Sequence, residues 1–385
     1  MRPATKVTNE EYYEYLISYV HDILCISENA REVLEDLWKD GGIKYKKDKI
    51  EPPEIYLGVR LQRKIVAATN KECWAITSVD YVKATIDAVR ETIKGTRWKF
   101  LSSINTPMVA SYRPEIDQTP ELDEKETTMF QEFIGMLQWA IELGRVDIAH
   151  EISLLSQYQA SPRQGHMEQM MHIFYYLSKK PKTSLYMDPT FPDLGFEDFN
   201  HDISQFKEYY RDAEEPMPHR MPPPRGRSVI TSGMVDAAPG SNKVTRRSHT
   251  GYILFVNRAP VKWVSKRQQT VETSAFSSEF IAMKQCIEDI EHLRFKIRMF
   301  GIPISKQYPE TYMRCDNKSL VTNTSLVEST LSKKHSAIAY HFTRWDVAAS
   351  VIKVAWIQSQ DNLPDQLTKL LSESARTHLL ERWTY

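Results

Sequence analysis

Apolar positions recur three and four residues apart along several stretches of this chain, and each such stretch predicts a helix with one buried face. Val79, Val82, Ile86, Val89 and Ile93 predict an amphipathic helix over 78–93. Phe130, Phe133, Ile134, Leu137 and Ile141 form one stripe, Ile148, Ile152 and Leu155 a second, and Met167, Met170, Met171, Phe174 and Leu177 a third. Gly144 and Ser161-Pro162 punctuate them, so a small helical bundle is expected, with the methionines in its core. Phe276, Phe280, Met283, Ile287, Ile290, Ile297 and Phe300 predict one long helix ending at Gly301.

Short β-branched runs predict strands. Residues 14–27 read as a buried hairpin flanking the polar pair His21-Asp22, and Ile55 to Val66 as a further strand. Gly251 to Asn257 and Val261 to Ser265 read as a second hairpin. Tyr312 to Cys315 is a short strand before a helix from about Lys318, and Ser350 to Ile357 another strand before a helix opened by Asp365. The order after residue 228 is thus β-β-α-β-α-β-α, an antiparallel hairpin feeding a mixed sheet. A loop with Pro107, Pro114 and Pro120 precedes the helical region. Residues 187–228 turn acidic and aromatic, then Pro-rich, and predict a semi-rigid linker.

Composition narrows the classes. With 385 residues the chain has room for two or three domains, and its 41% hydrophobic content is ordinary for a globular protein. Lys plus Arg and Asp plus Glu are each 50, so any nucleic-acid surface must be a local patch. Cys25, Cys73, Cys286 and Cys315 form no C-x-x-C pair, which argues against a zinc ribbon and suits a reducing compartment. No apolar run reaches membrane-spanning length, the first residues do not read as a signal peptide, and there is no G-x-G-x-x-G or P-loop. An intracellular setting, cytoplasmic or nuclear, without a membrane partner, is expected.

Four carboxylates stand at predicted strand ends or helix starts: Asp236 in Met-Val-Asp-Ala, Glu279 in Ser-Ser-Glu-Phe, Asp316 in Arg-Cys-Asp-Asn and Asp365 in Leu-Pro-Asp-Gln. Each alone reads as a solvated acid. Converging on one point, they would repel one another unless a divalent cation neutralised them, and metal-assisted attack on phosphodiesters is the usual use.

The detailed motifs carry a resemblance. Lys243-Val-Thr-Arg-Arg-Ser-His-Thr-Gly251, Trp263-Val-Ser-Lys-Arg-Gln268, Val271-Glu-Thr-Ser274, Cys315-Asp-Asn317, Lys334-His335, Tyr340-His-Phe342 and Asp365-Gln-Leu-Thr-Lys369 resemble the ribonuclease H region of copia-type retrotransposon polyproteins. The Phe130 to Leu177 helices resemble the segment after the palm of their reverse transcriptases, and Tyr19-Val-His-Asp22 sits where the family carries Tyr-Val-Asp-Asp. The resemblance implies an α+β partial palm over 1–106, without fingers, a helical thumb or connection over 107–186, the linker, and an α/β ribonuclease H-like domain with a mixed five-stranded sheet over 229–385.

It also implies function. Asp236, Glu279, Asp316 and Asp365 would bind two Mg²⁺ or Mn²⁺ ions about 3.5–4 Å apart and hydrolyse the RNA strand of an RNA–DNA hybrid. Asp236 would bridge the ions, Glu279 and Asp316 would hold one side and Asp365 the other, with His335 or His341 assisting. Arg246, Arg247, Lys266, Arg267, Lys333 and Lys334 would contact phosphates, and remaining Pol segments are implied partners. His21 replaces the first Asp of the polymerase motif, leaving Asp22, and an earlier palm carboxylate is missing, so no DNA polymerase activity is expected. Ala238, Pro239 and Gly240 depart from the family's pattern beside Asp236. The alternative is a catalytically dead transposon relic, at most a nucleic-acid-binding module.

Overall fold

The computed structural model describes residues 1–6, 10–20, 22–37, 50–66, 70–101, 105–329, 331 and 336–381. Its strands are β1 (Arg2–Thr5), β2 (Glu11–Tyr19), β3 (Asp22–Ile26), β4 (Ile55–Tyr56), β5 (Val59–Val66), β6 (Lys71–Thr77), β7 (Ser184–Met187), β8 (Thr231–Ala238), β9 (His249–Val256), β10 (Ala259–Arg267), β11 (Thr311–Cys315) and β12 (Ile352–Trp356). Its helices are α1 (Ala30–Asp36), α2 (Val79–Thr92), α3 (Glu124–Glu142), α4 (Ala149–Leu155), α5 (Gln164–Lys179), α6 (Phe206–Tyr209), α7 (Ala275–Met299), α8 (Lys318–Ser325), α9 (Ala337–Ala348), α10 (Asp365–Thr368) and α11 (Glu373–Leu380).

The sheet that positions the acids has the order β10-β9-β8-β11-β12, with β8, β9 and β10 antiparallel and β11 and β12 parallel to β8. This is the mixed five-stranded sheet expected. Its central strand, β8, was the one no apolar run announced, since Thr-Ser-Gly-Met-Val-Asp-Ala-Ala carries few large apolar residues. Side chains alternate between the two faces. Val235, Ala237, Tyr252, Leu254, Met313 and Cys315 face α7 and α9 and share one core with Phe280, Met283, Ile287, Tyr340 and Val347. Ile253 and Phe255 face the other way and meet Val146, Ala149, Leu185, Leu363 and Leu367. Burial on both sides explains why β9 reads as an unbroken apolar run.

The helical stripes pack together as predicted. Val82, Ile86, Phe130, Phe133, Leu137, Ile152, Met167, Met170, Met171 and Phe174 share one core. Asp123 and Glu126 close a capping box that starts α3.

Three expectations change. Residues 187–228 are no free linker. Phe199 packs with Tyr312 and Ala355, while Phe206 and Ala213 enter the opposite core beside α9, so the segment passes from one face of the sheet to the other. Glu215 then accepts from Arg294 Nε at 2.6 Å and Arg298 Nη2 at 2.6 Å, giving the buried Arg294 its counter-charge. The hairpin over 14–27 forms, but much of it is exposed: Leu16, Ile17, Tyr19 and Ile26 face solvent, and Val20 is 71% exposed. Its inner edge docks on the end of α7, where Tyr15 donates to the Phe300 carbonyl at 2.7 Å and the Tyr13 ring covers Gly301. Gly301 has a φ of 65° and no room for a Cβ against that ring. Finally, the described residues of 1–106 contribute to two sheets, β1-β2-β3 and β4-β5-β6-β7. The expected strand over 55–66 is broken by a turn at Leu57-Gly58, and β6 and β7 complete the second sheet.

Candidate metal centre

Asp236 sits near the end of β8 and is 1% exposed. The register sets Asp236 opposite Gly251 on β9. A Cβ on Gly251 would lie 2.6 Å from Thr368 Cγ2 and 2.9 Å from Leu367 Cβ, so glycine is what lets α10 rest on this strand. α10 thereby brings Asp365, Thr368 and Lys369 to Asp236. Asn362 donates to the Val235 carbonyl at 3.3 Å and helps fix the approach. Asp316 follows β11, the parallel neighbour of β8, so its backbone leaves the sheet at the same end. Asn317 caps α8 by accepting from Leu320 N at 3.0 Å, and Trp356 donates to the Asp316 carbonyl at 3.0 Å.

Asp236, Asp316 and Asp365 each offer an oxygen, and the three atoms lie within 4.8 Å of one another. Glu279, in the first turns of α7, is buried beside them with Oε2 lacking any hydrogen-bond partner. Gln268 holds that end of α7 against the sheet by donating to Thr250 Oγ1 at 3.1 Å and to the Ser278 carbonyl at 2.9 Å. A donor set made only of hard oxygens, one of them buried and orphaned, fits Mg²⁺ or Mn²⁺.

The electrostatics agree. Burial, then the neighbouring acids, pushes the Asp236 carboxyl up to about 7 and that of Glu279 up to about 9. Burial also raises Asp365. Thr368 Oγ1 donates to Asp236 Oδ2, and the Lys369 ammonium lies 2.8 Å from Asp365 Oδ1 and 3.5 Å from Asp236 Oδ2. Burial would lower the Lys369 pKa, but Asp236 and Asp365 outweigh that and hold it above its ordinary value. The i, i+4 spacing of Asp365 and Lys369 was the signal for the ion pair.

The departure at Ala238-Pro239-Gly240 leaves β8 regular. Ala238 pairs with His249, and Gly240 turns the chain with a φ of 53°. His249 lies at the contact between sheet and helices, its ring 4.7 Å from that of His150. Burial pushes His249 down to about 3 and His150 well down too, so both are neutral. The structure ties His341 to the Tyr210 hydroxyl at 2.8 Å rather than to the acids. His21, His335, Lys333 and Lys334 lie outside the described residues, while Asp22 is exposed at the start of β3. Arg246 and Arg247 occupy the loop between β8 and β9, and Lys266 and Arg267 end β10, all at the end of the sheet that holds Asp236. Trp263 is fastened to the Ile141 carbonyl and Tyr340 is core, whereas Trp345 is 40% exposed.

The central strand of this mixed sheet thus ends where Asp236, Asp316 and Asp365 converge. The chain is homologous to retrovirus-related Pol polyproteins of copia-type transposons. It is 23% identical over 272 residues to the Pol polyprotein from transposon RE1 of Arabidopsis thaliana, covering 71% of this chain and 16% of that protein. It is 21% identical over 367 residues to that from transposon TNT 1-94 of Nicotiana tabacum, covering 94% of this chain and 24% of that protein. The chain thus spans a quarter or less of the length of these relatives. No family model matches it. Among solved structures, the N-terminal RNase H domain of Rv2228c from Mycobacterium tuberculosis, a fusion with maltose-binding protein, is similar over 40% of this chain and 98% of that one. Its TM-score is 0.28 and its identity 13%.

Proposed function

We propose that this retrotransposon Pol homologue is a metal-dependent ribonuclease H that cuts the RNA strand of an RNA–DNA hybrid. One observation carries the reading: Asp236, Asp316 and Asp365, from separate stretches of chain, bring ligand oxygens within 4.8 Å of one another. Bound Mg²⁺ or Mn²⁺ would supply Lewis-acid activation of water and offset the charge developing on the phosphate.

The chain's own residues supply the rest. Asp236 is held in place by β8 and by the Thr368 hydroxyl, so its position needs no rearrangement on binding. Asp316 and Asp365 stand at the rim, half-buried, where a substrate phosphate can reach them. Glu279, buried with an unpartnered Oε2, would add a fourth oxygen donor. Arg246, Arg247, Lys266 and Arg267 sit at the same end of the sheet and would hold the backbone phosphates, a contact that weakens with salt. Recognition of a hybrid by groove shape and 2′-hydroxyls needs little sequence readout.

The test is cleavage of an end-labelled hybrid by the purified chain with Mg²⁺ or Mn²⁺. Wild type should cut the RNA strand and Asp316→Asn should not. No cleavage with either metal overturns the reading. The same preparation should give no template-dependent product in primer extension, because His21 stands where the polymerase motif of the resembled family has an acid.

A further inference from the structure

The acids of this centre already share a cation that belongs to the chain. The Lys369 ammonium sits between two of the three converging carboxylates, 2.8 Å from Asp365 Oδ1 and 3.5 Å from Asp236 Oδ2. Its side chain is 39% exposed while that of Asp236 is 2% exposed, so the ammonium reaches inward from the rim on a flexible stem. Asp236 has only the Thr368 hydroxyl and this ammonium as polar side-chain partners among the described contacts. Lys369 is also the cation acting on Glu279 and Asp365. A buried carboxylate cluster with no counter-charge is strongly disfavoured, and an internal ammonium offsets the charge of Asp365 and Asp236 without metal.

A divalent cation needs the same oxygens at about 2.0–2.6 Å, closer than an ammonium's hydrogen-bond distance. The two cations repel and compete for one set of lone pairs. The ammonium has somewhere to go. A cavity of about 330 Å³ opens beside it, lined in part by Lys369, Thr368, Ala238, Tyr112 and Glu115.

We propose that Lys369 is a tethered counter-ion that closes the acid centre when no divalent metal is bound and must be displaced for metal to enter, so that it sets the metal concentration at which the site fills. This rests on the reading of Asp236, Asp316 and Asp365 as metal ligands. The consequence is a chain that folds with its acids preassembled at low metal, with an ammonium released at the rim once metal binds.

The experiment reads metal binding directly, apart from cleavage. Mn²⁺ affinity of the full chain is measured by calorimetry for wild type, Lys369→Gln, Lys369→Arg and Asp316→Asn. Removing the ammonium should tighten Mn²⁺ binding about tenfold or more, Lys369→Arg should stay near wild type, and Asp316→Asn should weaken it. In parallel, wild type is acetylated with an amine-reactive ester in EDTA and in saturating Mn²⁺, and Lys369 is followed by mass spectrometry. Its labelling should rise several-fold with Mn²⁺. Mn²⁺ binding that Lys369→Gln leaves unchanged or weakens, or a Lys369 labelling rate indifferent to metal, overturns the inference while leaving the metal centre standing. Absence of Mn²⁺ binding by every form overturns both. If Lys369→Gln does not fold, the labelling of wild type decides alone.

Discussion

Asp236 and Gly251 face each other across the β8–β9 pair, and the space left by the missing Gly251 side chain is filled by Leu367 and Thr368 of α10. One strand thus carries the most buried acid of the centre, and its neighbour carries the gap that brings α10 to it. Gly251→Ala should force α10 outward, because the new Cβ would stand 2.6 Å from Thr368 Cγ2 and 3.1 Å from the Pro364 carbonyl. The expected loss is about 1–3 kcal/mol in urea unfolding, with cleavage falling more steeply than stability. A variant with wild-type stability and wild-type cleavage would show that the close approach does not position the centre.

The acids make metal-free stability depend on pH. Asp236 is pushed up to about 7 and Glu279 up to about 9, above ordinary values of 3.8 and 4.5. Over that window the folded chain holds more protons than the unfolded chain, so these groups stabilise less as pH rises. Bound Mg²⁺ would neutralise the ionised forms that burial and the neighbouring acids disfavour. The rise in Tm on adding Mg²⁺ should therefore grow from about pH 6 to about pH 9. Glu279→Gln, neutral throughout, should flatten the metal-free profile and lower cleavage. A Mg²⁺-induced Tm shift independent of pH would count against the coupling.

A second acidic pair lies away from the centre. Burial, then the charge of Glu291, pushes Asp346 up to about 8, and its Oδ2 has no hydrogen-bond partner. Its folded value is raised, so stability is lost as pH climbs from about 4 and the loss is complete above about 8. Asp346→Asn should match wild type in urea unfolding at about pH 4 and exceed it increasingly up to about pH 8. The reverse order at high pH would mean that the carboxylate is paired.

The C-terminal helix is fastened by charge. Arg376 is buried and donates to Glu151 and to the Asp147 carbonyl, joining α11 to the helical region. Arg376→Ala strands a buried Glu151 and should cost about 3–5 kcal/mol. Unfolding by urea with intact cleavage at low denaturant would measure it. A loss under about 1 kcal/mol would place the helix's attachment in its apolar contacts instead.

Much of the architecture was legible where periodicity reports burial. The stripe from Phe130 to Ile141 became α3, the spacing from Phe276 to Phe300 became α7 closed by Gly301, and β9 and β10 formed the predicted hairpin. β8 escaped because its core side chains are small, and β6 and β7 because short strands in a partly exposed sheet alternate weakly. The Pro-rich composition of 187–228 said nothing of α6 or of Phe199, Phe206 and Glu215, whose partners lie far along the chain.

The sequence by itself determined which residues can do chemistry: four acids in recognisable motifs, a weakened pair at His21-Asp22, and the order of elements between them. Those are local properties, written in residue type and spacing. The tertiary structure decided how close the acids come, that Asp236 and Glu279 are buried enough to resist ionisation, and that Lys369 stands among them. Distance, dielectric and counter-charge arise only when β8, β11, α7 and α10 meet, and no stretch of chain carries them alone.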